Sequence, residues 1–339
     1  MTRPVTSPVR IGVLGAAKVA PSALLLPSRE VDGVEVVAVA SRDPHRARAF
    51  ARTHSIEHVF DDYERMLGDP GIDAIYVALP ASLHARWTIA ALQAGKHVLC
   101  EKPFTSNAEA ASRVAAVAAS SDATVMEAYH SSYHPIQAQL RAILDSGEIG
   151  RVVSARAEFC IPLISRRAVQ WNAELGGGGL LDVGYYPVRQ LRELFGEPTR
   201  ILSARAWTLR DVDRRLDASL EFADGVRGAV ISSILSRRLL TSSLVIRGEA
   251  GAVTVSWPYH PQSGARLTVQ TRTGASTRLV DRRSSYLFQL EAFRDCVQTG
   301  TAPRTGPREA VAQLTTIDDL YTAAGLRPRP DAASTSAPQ

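Results

Sequence analysis

Between Val9 and about Ala123, short apolar runs alternate with longer stretches whose apolar residues recur at helical spacing. The runs VRIGVLG, VEVVAVAS, IDAIYVALP, HVLCEKP and TVMEAY have the pattern of strands buried on both faces of a parallel sheet. The segments between them, DPHRARAFARTH (43–54), SLHARWTIAALQAG (82–95) and SNAEAASRVAAVAASS (106–121), predict helices. Gly95 stands where a C-cap belongs, and Ser106 or Asn107 where an N-cap belongs. Such alternation means βαβ units and a doubly wound α/β domain. Beyond about residue 150 the period changes to two. RVVSARAEFCI, ILSARAWTL, DASLEFADG, RGAVISSIL, SLVIRG, AVTVSW and RLTVQTR, with ADG and GEAG as turns, predict a large open, mostly antiparallel sheet. Helical spacing returns at 285–300 and 306–325. The expected division is a Rossmann-type domain over 1–125, a C-terminal α+β domain over 126–326 whose last helices can pack back on the first, and a disordered tail over 327–339.

Composition adds bounds. A chain of 339 residues exceeds what one core usually serves, and 45% hydrophobic with 22% charged is ordinary for a folded soluble protein. The sequence has neither a membrane-length apolar run nor the apolar core of a secretory signal, so the cytoplasm is the expected location and no membrane partner is expected. Cys100, Cys160 and Cys296 form no CxxC pair and suggest small buried apolar residues, not a disulfide or a cysteine zinc site. The net charge of +5 comes mostly from scattered arginines. That argues against nucleic acid and suits anionic small molecules.

The first strand runs into Gly15-Ala16-Ala17-Lys18-Val19-Ala20, where a dinucleotide fold carries GxGxxG. Only Gly15, the tight-turn glycine, is present. Alanines hold the other two places, so the phosphates would sit slightly farther out over the following helix N-terminus. The second strand ends in Ser41-Arg42-Asp43, where an NAD-binding fold would offer an acid to the ribose. A hydroxyl and a guanidinium, with Arg46 beyond, can bind a 2′-phosphate, which predicts NADP(H). The alternative is a solvated helix start capped by Asp43.

Three candidates carry chemistry. Lys102, before a proline, is held extended at the carboxyl end of a parallel strand, where open α/β sheets bind ligands. GGGGLLDVGYYP (176–187) supplies the other two. If Asp182 to Tyr186 is one helical turn starting near Asp182, these two share a face and Tyr185 turns away into packing, while Pro187 stays close to the first turn. Hydride transfer to a carbonyl builds negative charge on oxygen, which a tyrosine can neutralise as a proton donor. A nearby Lys102 ammonium is expected to lower the phenol pKa, and Asp182 to orient the lysine or accept a substrate hydroxyl. The glycines suggest backbone brought close to cofactor or substrate. His130 and His134, four apart with Glu127 nearby, have a spacing that could hold zinc on a helix, but no metal is expected. Neither GxSxG nor a P-loop occurs.

GVLGAAKVA, ASRD, Leu79-Pro80 with His84, AGKHVLCEKP and GGGGLLDVGYYP, in this order and over nearly the whole chain, resemble the Gfo/Idh/MocA oxidoreductase family. Where that family usually has Asp, three residues and His, this chain has Asp182, three residues and Tyr186. In this it is similar to the branch of NADP-dependent xylose dehydrogenases, dimeric dihydrodiol dehydrogenases and sugar 3-ketoreductases. The resemblance implies Tyr186 as proton donor or acceptor assisted by Lys102, and a cofactor site that includes Leu79, Pro80, His84 and Glu101. It also implies substrate contacts from Tyr133, His134, Gln170 and Trp171, a sugar-like small-molecule substrate, and a homodimer or homotetramer formed through the C-terminal sheet. A trans-dihydrodiol substrate and a non-catalytic NADP-binding sensor are the alternatives.

Overall fold

The computed structural model describes residues 7–332. Six parallel strands, β1 (Val9–Leu14), β2 (Val34–Ala40), β3 (His58–Phe60), β4 (Ala74–Val77), β5 (His97–Glu101) and β6 (Val125–Ala128), form one sheet in the order β3-β2-β1-β4-β5-β6. Except at the exposed edge strand β3, most of their β-branched and apolar side chains are buried, with helices on both faces, among them α1 (Pro44–His54), α2 (Tyr63–Leu67), α3 (Ala81–Gln93) and α4 (Ala108–Ala118). Asp43 starts α1 by accepting the His45 and Arg46 N–H groups at 2.9 and 3.3 Å, and Asn107 starts α4 by accepting Ala110 N–H at 2.9 Å. The strand order reverses between β1 and β4, which opens a crevice at the carboxyl edge of the sheet. The sixth strand continues past the expected boundary at 125 to Ala128.

The helix expected after the glycine turn is different. A single wide turn over Pro21–Leu25, closed by Leu26 N–H to Pro21 O at 2.9 Å, and a 3₁₀ turn over Pro27–Arg29 take its place. Pro21 and Pro27 lack the N–H groups that a regular ladder needs.

A single helix, α5 (Ile136–Asp145), leads into the second sheet, whose eight strands are β7 (Val152–Cys160), β8 (Arg200–Leu209), β9 (Val212–Glu221), β10 (Arg227–Ser233), β11 (Thr241–Gly248), β12 (Gly251–Ser256), β13 (Arg266–Thr271) and β14 (Gly274–Arg278). The order is β14-β13-β12-β11-β7-β10-β9-β8, antiparallel throughout except for β7 beside β10. Alternation puts Ala155, Ala157, Leu216, Leu220 and Leu244 on the inner face, where α6 (Tyr185–Phe195) packs. This core is continuous with Val77 and Cys100 of the first sheet and with Tyr129 just after β6. α7 (Ser285–Thr299) returns to the first sheet, burying Leu287, Leu290 and Phe293 with Ile11 and Val13. α8 (Pro307–Ala323) lies against α4, where Asp318 accepts the Ala108 N–H at 2.8 Å. All three cysteines are buried and free. Among the described residues no helix is long and apolar enough to cross a membrane.

The tail departs from expectation. Residues 333–339 lie outside the described residues, but 329–332 are packed, with Arg327 and Pro328 exposed before them. Arg329 donates to the buried Asp213 carboxylate at 2.6 Å and to Asp211 O at 3.1 Å, Asn107 donates to Arg329 O at 2.7 Å, and Ala332 N–H reaches Ser82 O at 3.0 Å. Composition hid this because ion pairs, Arg329 on Asp213 and Asp331 on Arg113, anchor a segment with little apolar area. Asp213 also accepts the Leu180 N–H at 2.6 Å and the Tyr321 hydroxyl at 3.0 Å, so the tail holds the start of the segment leading into α6. Arg329→Met, which leaves that carboxylate without its counter-charge, is expected to lower unfolding stability by about 3 kcal/mol in urea denaturation. A loss below about 0.5 kcal/mol, the level of an ordinary surface change, would contradict the anchoring role.

Candidate active site

The carboxyl edge of the parallel sheet gathers most of the residues singled out in the sequence. Gly15 follows β1 with φ of +99°, and a Cβ there would stand 2.5 Å from Ala78 O. Only glycine can make this turn between β1 and β4. Ala16, Ala17 and Val19 are half-buried along the turn and Lys18 is exposed. After β2, Ser41 is buried while Arg42 and Arg46 are exposed, Arg46 donating to Ala16 O at 3.2 Å. Asp43 is committed to capping α1, so the groups left facing outward at this strand end are cationic. The glycine cradle with these cations fits a phosphate-bearing dinucleotide.

Lys102 leaves the end of β5 and bridges to the second domain. Its Nζ lies 3.0 Å from Asp182 O and 3.1 Å from Asp182 Oδ1, and 5.0 Å from the centre of the Tyr186 ring. Asp182 belongs to a wide helical turn, Leu180–Gly184, that continues directly into α6, in which Pro187 is the third residue. Asp182 and Tyr186 thus both flank the lysine. Tyr185 turns inward, fully buried, and donates to Glu127.

The glycine run makes this possible by close approach to protein. A Cβ on Gly176 would meet Ala81 Cβ at 2.8 Å and one on Gly177 the Asn172 and Gln170 carbonyls at 2.5 and 2.7 Å, while one on Gly178, at φ of +136°, would collide with the Asp213 carboxylate. Gly184 lies against Ser232 Oγ, 2.8 Å from where its Cβ would be.

The electrostatics reverse one expectation. Burial and the negative charges of Glu101, Asp182 and Glu127 push the Tyr186 phenol well above its ordinary value, instead of Lys102 drawing it down. The reason is that the ammonium is paired: burial alone would lower Lys102, but Asp182 and Glu101 outweigh it and hold the lysine charged. Tyr186 is therefore a protonated phenol at neutral pH. Its hydroxyl lies 3.2 Å from Nε2 of His130, a residue the sequence suggested only as half of a zinc pair. The available signal was position, because His130 follows β6 on the same sheet edge as Lys102. Phe159, Tyr259 and His260 complete an aromatic wall, with ring centres 5.4, 5.6 and 5.6 Å from that of Tyr186.

Other candidates have different partners. His84 is buried with Nδ1 2.8 Å from Pro103 O and Nε2 2.7 Å from Leu79 O, so it braces the β4 and β5 loops and has no free nitrogen for a ligand. Leu79 and Pro80 form the half-buried lip above it. Glu101 is buried and accepts from the Tyr76 hydroxyl. The Tyr133 hydroxyl lies 2.9 Å from Thr305 Oγ1, and His134 accepts Ile136 N–H at 3.1 Å and packs on Phe288, so neither turns to Tyr186. Trp171 is buried in the core and Gln170 holds the Gly178 N–H at 3.0 Å through its carbonyl. Among the described residues no group of three or more His, Cys, Asp or Glu is arranged to hold a metal ion.

Residues 9–129 match the oxidoreductase family with an NAD-binding Rossmann fold, and residues 137–254 match the Gfo/Idh/MocA C-terminal domain. The chain belongs to the Gfo/Idh/MocA oxidoreductase family. Within this family it is 34% identical to D-xylose 1-dehydrogenase (NADP(+)) 2 of Haloferax volcanii, over 92% of this chain and 96% of the relative. To a dTDP-3,4-didehydro-2,6-dideoxy-alpha-D-glucose 3-reductase of Actinomadura kijaniata it is 32% identical over 94% and 96% of the two chains. It is 36% identical to the trans-1,2-dihydrobenzene-1,2-diol dehydrogenase of Xenopus laevis over 68% and 69%. The crystal structure of KijD10, a 3-ketoreductase from Actinomadura kijaniata in complex with NADP and TDP-benzene, superposes with a TM-score of 0.87 at 30% identity over 94% of this chain and 98% of that one.

The Glu101 carboxyl, raised by burial to about 7 against the opposing Tyr76 hydrogen bond and Lys102 charge, gives this Gfo/Idh/MocA site a signature in stability. A folded-state pKa above the unfolded value stabilises the fold fully below about pH 4.5 and is lost as pH rises through about 7. Urea midpoints of the native chain are expected to fall relative to those of Glu101→Gln across that window. Parallel curves would contradict the buried, proton-binding carboxyl.

Proposed function

We propose that this chain is an NADP(H)-dependent oxidoreductase that moves a hydride between the nicotinamide and a CH–OH or ketone carbon of a sugar or nucleotide-linked sugar. The observation that carries this is the placement of Lys102, Asp182 and Tyr186 together at the carboxyl edge of the Rossmann sheet, with the ammonium 3.1 Å from the carboxylate and 5.0 Å from the phenol ring. Bound NADP(H) supplies or accepts the hydride. Gly15 makes the tight turn that sets the phosphate cradle, and Ser41, Arg42 and Arg46 take the 2′-phosphate. Tyr186, held as a phenol, gives its proton to the oxygen as a ketone is reduced. Lys102, anchored by Asp182, places a fixed positive charge beside that developing oxyanion.

Xylose dehydrogenase and sugar ketoreductase relatives support a sugar-like substrate. The aromatic wall around Tyr186 and the dihydrodiol dehydrogenase relative support a flat cyclic diol as the second reading. Assays of NADP⁺ reduction with aldoses and trans-dihydrodiols, and of NADPH oxidation with keto-sugars, separate them.

Tyr186→Phe is expected to cut turnover at least about a hundredfold with NADPH affinity unchanged; near-normal turnover would remove the tyrosine from its role. Arg42→Ala is expected to raise the KM for NADPH about tenfold and leave that for NADH alone. Equal effects on both cofactors would contradict 2′-phosphate recognition.

A further inference from the structure

A phenol that is protonated at rest cannot take up a second proton. To accept the proton of a substrate alcohol, Tyr186 must pass its own to another group, and the hydroxyl needs a partner with a free lone pair. Among the described residues the partner of the Tyr186 hydroxyl is Nε2 of His130, 3.2 Å away. The hydrogen bonds behind that imidazole decide whether Nε2 is bare.

Gln262 Oε1 lies 3.4 Å from the Ser285 N–H and 3.0 Å from Ser285 Oγ. The backbone N–H can only donate, which fixes the facing atom of Gln262 as its carbonyl oxygen. That oxygen can only accept, so the Ser285 hydroxyl gives its hydrogen to Gln262. Ser285 Oγ must then accept from Nδ1 of His130, 2.7 Å away. With its hydrogen on Nδ1, neutral His130 turns a bare Nε2 to Tyr186. His130 and Ser285 are 1% and 0% exposed, so water does not compete for the bond between them.

We propose that His130 is the proton partner of Tyr186, held in the Nδ1–H tautomer by Ser285 and Gln262, which act as positioning residues. The proposal rests on the role assigned to Tyr186 above. In the oxidative direction the substrate carbon gives up a hydride with its electron pair to oxidised nicotinamide. The alcohol proton moves to Tyr186 Oη as the Tyr186 proton moves to His130 Nε2. The resulting imidazolium keeps its Nδ1–H on Ser285; after product leaves, its Nε2 proton returns to Tyr186 Oη as the phenol gives one proton to water in the vacated site, and reduction reverses each transfer. The groups facing His130 are Tyr186 of α6, Ser285 and Tyr286 of α7, His260 of the loop after β12, Lys102 after β5, and His134 of its own segment. Those facing Tyr186 are Glu101, Asp182, Glu127 and Lys102, with Tyr129, Tyr259, His260 and Tyr286 packed around it. Burial, His260 and Lys102 hold His130 well below its ordinary value, which keeps it neutral, with the Nε2 lone pair unprotonated, between turnovers.

The ¹⁵N NMR spectrum of the histidine-labelled chain tests the tautomer, with His130 assigned by the signal missing from His130→Gln, or through sequential backbone correlations if that variant does not fold. A neutral Nδ1–H form from about pH 6 to 8, whose Nε2 resonance shifts in Tyr186→Phe, is expected. An Nε2–H form or an imidazolium at neutral pH would overturn the proposal. With D-xylose and NADP⁺, His130→Gln keeps an acceptor but cannot take the proton. Its turnover is expected to fall at least about a hundredfold and to climb with pH where the native rate stays level. A native rate, or a reduced rate with the native pH profile, would overturn it. A fully active Tyr186→Phe would instead defeat the tyrosine assignment, whereas an inactive Tyr186→Phe beside a fully active His130→Gln defeats only the histidine.

Discussion

The bond from Lys102 to Asp182 is the constraint on which the site depends. It spans 80 positions of sequence and ties the end of β5 to the turn that starts α6, so it joins the carboxyl edge of the parallel sheet to the tyrosine carried on α6. Both side chains are mostly buried, at 15% and 19% exposure, which makes the desolvation cost substantial and the geometry correspondingly specific. A second contact to the Asp182 carbonyl fixes the backbone as well as the carboxylate. Freed of that anchor, the ammonium would have no reason to stay over the Tyr186 ring.

Much of the second domain serves to keep Asp182 where the lysine can reach it. The glycine run passes too close to Asn172, Gln170 and Asp213 for any side chain, and Asp213 holds the Leu180 N–H while Arg329 and Tyr321 satisfy its charge. On the far side, Gly184 lets the turn lie against Ser232 of β10. Tyr185 and Tyr186 then diverge, one into the interior on Glu127 and one into the crevice beside His130. A rigid turn, held from both sides, preorganises charge and phenol before any substrate arrives.

The local signals in the sequence were sufficient for the elements with a clear period or cap. Asp43, Asn107 and Gly95 end or start helices as their chemistry requires, and the change from apolar runs to alternation marks the change of sheet. Tyr186 was separable from Tyr185 because a helical turn fixes which residues share a face. The missing pieces all depend on distant segments meeting. His130, Ser285 and Gln262 come from three separate stretches, and no spacing rule links them. Arg329 sits in a segment whose composition suggests disorder, yet contacts with Asp213, Asn107 and Ser82, all distant in sequence, order it. The direction of the Tyr186 shift was also hidden, because the sequence indicates a lysine nearby but not that Asp182 and Glu101 offset its charge.

A double-mutant cycle on Lys102→Met and Asp182→Asn, read in kcat/KM, tests the central claim most directly. If the carboxylate acts through the lysine, the double variant should be no slower than the slower single variant, with a coupling of about 2 kcal/mol or more. Losses that simply add would contradict the account, because the two groups would then be acting independently.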